Sequence, residues 1–131
     1  MSINFYYCSA SGPIAAGATV PLLDISTLIQ EVIPDGAFIV AAYIGKGTFT
    51  TTVAGITSPS VSTISVGWAN NTNAIVPTSA LVTTTTLTAN STSYIQSGLT
   101  NAVSGSQSLT LTSSGAITDG TFMIVVQTIL V

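Results

Sequence analysis

Apolar residues in this chain fall mainly in short runs punctuated by Gly, Pro, Asn and Asp, and the stretch that organises the rest closes it. Residues 121–131, T-F-M-I-V-V-Q-T-I-L-V, are rich in β-branched and aromatic side chains, lack Gly and Pro, and follow Asp119-Gly120. That composition predicts a strand. A half-buried strand alternates apolar and polar positions, but here both faces are apolar. Phe122, Ile124, Val126 and Leu130 share one face, which needs a packed sheet. Met123, Val125, Ile129 and Val131 share the other, which needs separate cover. In so short a chain that cover is expected from a neighbouring subunit. These last four residues are therefore the candidate subunit interface.

The same pattern marks further strands over 3–10, 18–23, 37–44, 48–54, 61–68, 80–88, 92–96 and 107–112. Pro21 confines its segment to a sheet edge or bulge, because it has no N–H to give a ladder. Gly45-Lys46-Gly47 reads as a hairpin tip. Ile64, Val66 and Trp68 point to one side of their strand, and Leu109 and Leu111 are expected to point inward. Residues 69–73, A-N-N-T-N, read as a loop. One helix is expected near residues 25–33, where Ile25, Leu28, Ile29, Val32 and Ile33 stand at i, i+3, i+4, i+7 and i+8. Asp24 is its N-cap and Pro34-Asp35-Gly36 its stop. So short a helix must dock, and plugging an open end of the core is the expected role. The expected fold is all-β: a single antiparallel β-sandwich spanning 1–131, of jelly-roll type, with one short helix.

Composition sharpens this picture. The chain has 131 residues, of which 47% are hydrophobic and only 4% charged. Ser and Thr supply roughly another 30%, well above ordinary usage. An ordinary soluble monomer carries many surface charges of both signs. This chain's surface is expected to be hydroxyl-bearing and largely covered by other protein. With one Lys and no Arg, it cannot neutralise many phosphates, so nucleic acid is not expected as a partner. Its apolar runs are about ten residues, too short for a spanning helix, and no membrane partner is expected. The N-terminal residues show no secretory signal.

The search for chemistry is short. There is no His, so a serine nucleophile lacks the base of a triad. Lys46, between two glycines, is expected to be exposed and charged, a poor base. Ile44-Gly45-Lys46-Gly47 lacks the remaining residues of a phosphate loop. Asp24, Glu31 and Asp35 read as a cap, an exposed helical position and a turn residue; the alternative is convergence on a cation. Cys8 is the only cysteine and reads as a small buried hydrophobe. No enzyme activity, catalytic residue, metal or cofactor is expected. Asn70-Asn71-Thr72 and Asn90-Ser91-Thr92 match a glycosylation acceptor pattern, which matters only in a secreted eukaryotic protein. Trp68 with Asn70, Asn71 and Asn73 is a candidate sugar contact, since an aromatic face beside amides suits a saccharide. The competing reading places Trp68 in the core.

The closing strand at 119–131, with the Thr-rich segments 48–54 and 80–88, resembles the small jelly-roll cement or decoration proteins of bacteriophages and related viruses. The resemblance implies a structural virion protein on the outer capsid surface. Its partners would be other copies of itself, as a trimer, and the major capsid protein, whose shell it would brace. Members of that family often use a flexible N-terminal arm, whereas residues 1–10 here read as a strand. Two other functions remain open: a receptor-binding head of a viral fibre, and a subunit of a self-assembling surface filament.

Overall fold

In a computed structural model, residues 1–11, 13–45, 63–80, 92–97, 102–117 and 121–131 are described. Eleven strands run in chain order: β1 (Ser2–Ser11), β2 (Thr19–Pro21), β3 (Leu23–Asp24), β4 (Val32–Ile33), β5 (Phe38–Gly45), β6 (Thr63–Trp68), β7 (Asn71–Ala80), β8 (Thr92–Ser97), β9 (Gln107–Ser108), β10 (Thr110–Ser113) and β11 (Thr121–Leu130). One sheet has the order β3-β1-β11-β5-β8 and a second the order β2-β10-β6-β7; β4 and β9 form a separate pair. Every pairing is antiparallel.

Followed along the chain, β1 lies in the first sheet, β2 in the second, β5 in the first, β6 and β7 in the second, β8 in the first, β10 in the second and β11 in the first. Repeated crossing between two antiparallel sheets is the jelly-roll arrangement expected from the strand pattern. The core lies between the sheets. Cys8, Ala10, Ile39, Ala42, Ile124 and Val126 meet Ile64, Val66, Ile75 and Leu111 there, all buried. Leu109 is also buried, as its inward reading requires. Pro21 terminates β2, an edge strand, where its missing N–H costs no ladder bond.

Two elements differ from the sequence reading. There is no helix near 25–33, nor any among the described residues. Asp24 explains the change. Its Oδ1 accepts from the Ser26 N–H at 2.8 Å, the Ser26 hydroxyl at 2.7 Å and the Thr27 N–H at 2.9 Å, as a helix cap would. The Leu28 N–H then bonds the Asp24 carbonyl at 2.9 Å, but Leu28 itself turns left-handed at φ 59° and the coil stops after one turn. The chain instead folds back as a hairpin, with Asp24 N–H to Ile29 O and Glu31 N–H to Leu22 O. Side chains that bond nearby backbone favour turns over helices, and β-branched neighbours do not oppose this. The predicted stripe therefore does not dock. Ile33 is buried, while Ile25, Leu28, Ile29 and Val32 are exposed.

The loop expected over 69–73 is much shorter. Ala69 and Asn70 form the turn, and Asn71 already pairs with Trp68 across the hairpin. Register shifts between Val66 and Trp68 absorb the extra residues, and Gly67 makes that possible. A Cβ there would overlap the Asn71 carbonyl oxygen and lie 2.8 Å from the Ala74 nitrogen. The segment 48–54, the region around Lys46 and nearly all of 80–88 lie outside the described residues.

Candidate functional site

Two surfaces merit description, beginning with the outer face of the five-stranded sheet. In β11 the side chains of Ile124, Val126 and Thr128 are fully buried, so Met123 and Val125 belong to the opposite face. Those two candidate interface residues are only 4% and 9% exposed within a single chain; Ile129 is half-buried and Val131 exposed. Across the β1–β11 ladder, Ile3 stands opposite Ile129, Phe5 opposite Gln127 and Tyr7 opposite Val125. Ile3, Phe5 and Tyr7 are 53%, 49% and 39% exposed. The open apolar surface of this face thus sits on β1, a strand whose contribution the sequence reading missed. Its I-N-F-Y-Y-C alternation carried the signal. Ile25 continues the face beside Tyr7, whose carbonyl accepts the Ile25 N–H at 3.1 Å.

The second surface is a pocket of about 400 Å³ at one end of the sandwich. Ile39 of the first sheet and Trp68, Asn71 and Ala74 of the second line it, with Ala102, Val103, Ser104 and Gln107 closing one side. Trp68 is half-buried, packs against the core and also lines the pocket. Of the four candidate sugar contacts, the structure brings Trp68 and Asn71 to the pocket. Asn70 and Asn73 are exposed, and the Asn73 N–H donates to Asn71 Oδ1 at 3.3 Å. Gln107 Nε2 donates to the Ser104 carbonyl at 2.8 Å. Asp35 Oδ1 accepts from the Gly105 N–H at 2.7 Å, anchoring the same segment. Gly105 holds a left-handed φ of 70°, which suits glycine. No local pattern links residues 102–107 to Trp68, so sequence inspection had no signal for them.

Among the described residues, Asp24, Glu31 and Cys8 are the remaining groups with shifted titration. The Ser26 hydroxyl first, then the Thr27 and Ser26 N–H groups, hold the Asp24 carboxyl well below the usual range. Partial burial raises Glu31, with the neighbouring Asp24 adding to the effect. Cys8 is a buried free thiol whose Sγ donates to the Ile124 carbonyl at 3.5 Å. Burial pushes that thiol far above its ordinary value, with the charges of Glu31 and Asp24 contributing. Among the described residues no three metal-ligating side chains gather.

Comparison with known proteins finds a likeness in architecture. The chain is similar to a chain of the cyanophage Pam1 capsid asymmetric unit, with a TM-score of 0.61. The two are 16% identical, and the match covers 99% of this chain and 86% of the other. They share a fold. No protein-family description and no curated protein matches this sequence.

Proposed function

We propose that this chain is a structural virion protein that binds the outer capsid and cements it, working as a homotrimer against the major capsid protein. The observation that carries the reading is its end-to-end likeness to a similarly small chain of the cyanophage Pam1 capsid asymmetric unit. The exposed Ile3, Phe5 and Tyr7 agree with a protein whose work is to be covered by others. Of the candidate interface residues Met123, Val125, Ile129 and Val131, the first two are already covered within the chain, so a contact on this face would engage Ile129 and Val131 together with β1. One lysine in 131 residues makes an inner, nucleic-acid-facing position unfavourable. Contacts made by shape and hydroxyl groups resist salt better than ion pairs do.

The test strips the protein from purified particles and adds it back. Cementing predicts that stripped shells rupture at lower temperature and that re-addition restores them even in high salt. A second reading, a receptor-binding fibre head, is favoured by the Trp68 pocket. It predicts stripped particles of equal toughness that no longer attach to cells.

A further inference from the structure

We infer that the pocket beside Trp68 binds a neutral saccharide, a role that goes beyond capsid cementing and does not rest on it. Three features of the pocket converge on that ligand.

The first is its aromatic lining residue. Trp68 is anchored at the end of β6 by pairing with Asn71 and by packing on the core, while part of it lines the cavity. An indole fixed in this way offers a rigid, electron-rich face. One side of a pyranose ring presents C–H groups of partial positive charge, which suit such a face. The cavity's size, about 400 Å³, lies within the range of small-molecule sites.

The second is the hydrogen-bonding character of its rim. Asn71 Oδ1 is engaged by the Asn73 N–H, which leaves the Asn71 NH₂ to donate. Gln107 Nε2 is engaged by the Ser104 carbonyl, which leaves Gln107 Oε1 to accept. The Ser104 hydroxyl can do either. Sugar hydroxyls both donate and accept, so neighbouring hydroxyls are met by a rim carrying a positioned donor and a positioned acceptor.

The third is charge. Among the described residues, no ionisable side chain lines the pocket. An anionic sugar or a phosphate would leave its charge unpaired there, which is costly away from water. The ligand class is therefore a neutral hexose or N-acetylhexosamine unit.

Trp68 is the chain's single tryptophan, so its fluorescence reports on this site alone. The full chain is titrated separately with glucose, galactose, mannose and N-acetylglucosamine. At least one should shift the emission saturably, with half-saturation on the order of 1 mM for so small a ligand. Asn71→Ala and Gln107→Ala should each weaken that response about tenfold while the variants stay folded, with melting temperatures lowered by a few degrees at most for the local backbone bond each loses. NMR titration of the unmodified chain gives an answer that needs no variant. Saturable shifts centred on the Trp68 indole N–H and the Asn71 and Gln107 amides support the site. Emission unmoved by all four sugars, shifts scattered away from the pocket, or unchanged affinity in both folded variants would overturn the inference.

Discussion

Phe5 and Tyr7 stack on the outer face of β1, with ring centroids 6.3 Å apart and 26° between the ring planes. The two residues alternate with Tyr6 and Cys8, whose side chains belong to the inner face, so the stack contributes little to the core. A paired aromatic surface left open to water is a strong source of association energy, since each ring can still bury substantial area.

Replacing Phe5 and Tyr7 together by Ser should therefore separate assembly from folding. The double variant is expected to melt within a few degrees of the parent yet sediment as a smaller species at micromolar concentration. Analytical ultracentrifugation with a melting scan checks both. A variant that remains assembled would place the association elsewhere on the molecule.

Gly67 answers a different requirement, the close approach of β7 where the hairpin register shifts. Gly67→Ala should cost about 3 kcal/mol, because the clashing atoms are backbone and cannot swing away. Urea unfolding measures it. Collapse of the β6–β7 hairpin should also alter Trp68 emission.

Thr128 is fully buried, and its hydroxyl has no hydrogen-bond partner among the described residues. It lies at the register shift where β11 passes β5. Thr128→Val keeps the shape and removes the orphaned group, so stability should rise by about 1 kcal/mol. Equilibrium unfolding of the two proteins is the comparison; a loss of that size would mean the hydroxyl is satisfied in solution.

Acid titration should reveal two opposed groups. Asp24 has a depressed folded pKa, so its contribution is present above its unfolded value near 4 and is lost as pH falls below it. Glu31 has a raised folded pKa, so the fold favours its protonated form and stability is gained as pH falls through that pKa. Glu31→Gln should leave only the acid loss, and Asp24→Asn only the gain. With no histidine and the Cys8 thiol displaced far to the alkaline side, neither type contributes a change between pH 6 and 8. Melting temperatures of the three proteins from pH 3 to 8 provide the check.

The jelly roll was legible because strand alternation is a local signal. The two apolar faces of 121–131 and the inward Leu109 and Leu111 announce layers without any knowledge of partners. Partners themselves were not legible. Nothing near Cys8 says that Ile124 stands opposite it, because pairing register is settled across the whole chain. The segment 25–33 misled because apolar spacing and turn chemistry disagreed there. Spacing favoured a helix, while Asp24 with Ser26 and Thr27 favoured a turn that stopped at Leu28. In the pocket, the Trp68–Asn71 contact was visible as a short-range pair. Ser104 and Gln107 arrive from another part of the sequence and left no mark.

The β1–β11 ladder also dictates when the protein can form. Cys8 and Ile124, hydrogen-bonded in the finished sheet, are 116 residues apart, so β1 is synthesised long before its central partner exists. Until then a strand carrying Ile3, Phe5, Tyr6 and Tyr7 has no neighbour on that side. Closing so distant a pair is slow, and an unpaired apolar strand meanwhile invites association with other chains. Yield in a cell should therefore depend less on the final stability of the sandwich than on how well β1 is shielded during translation.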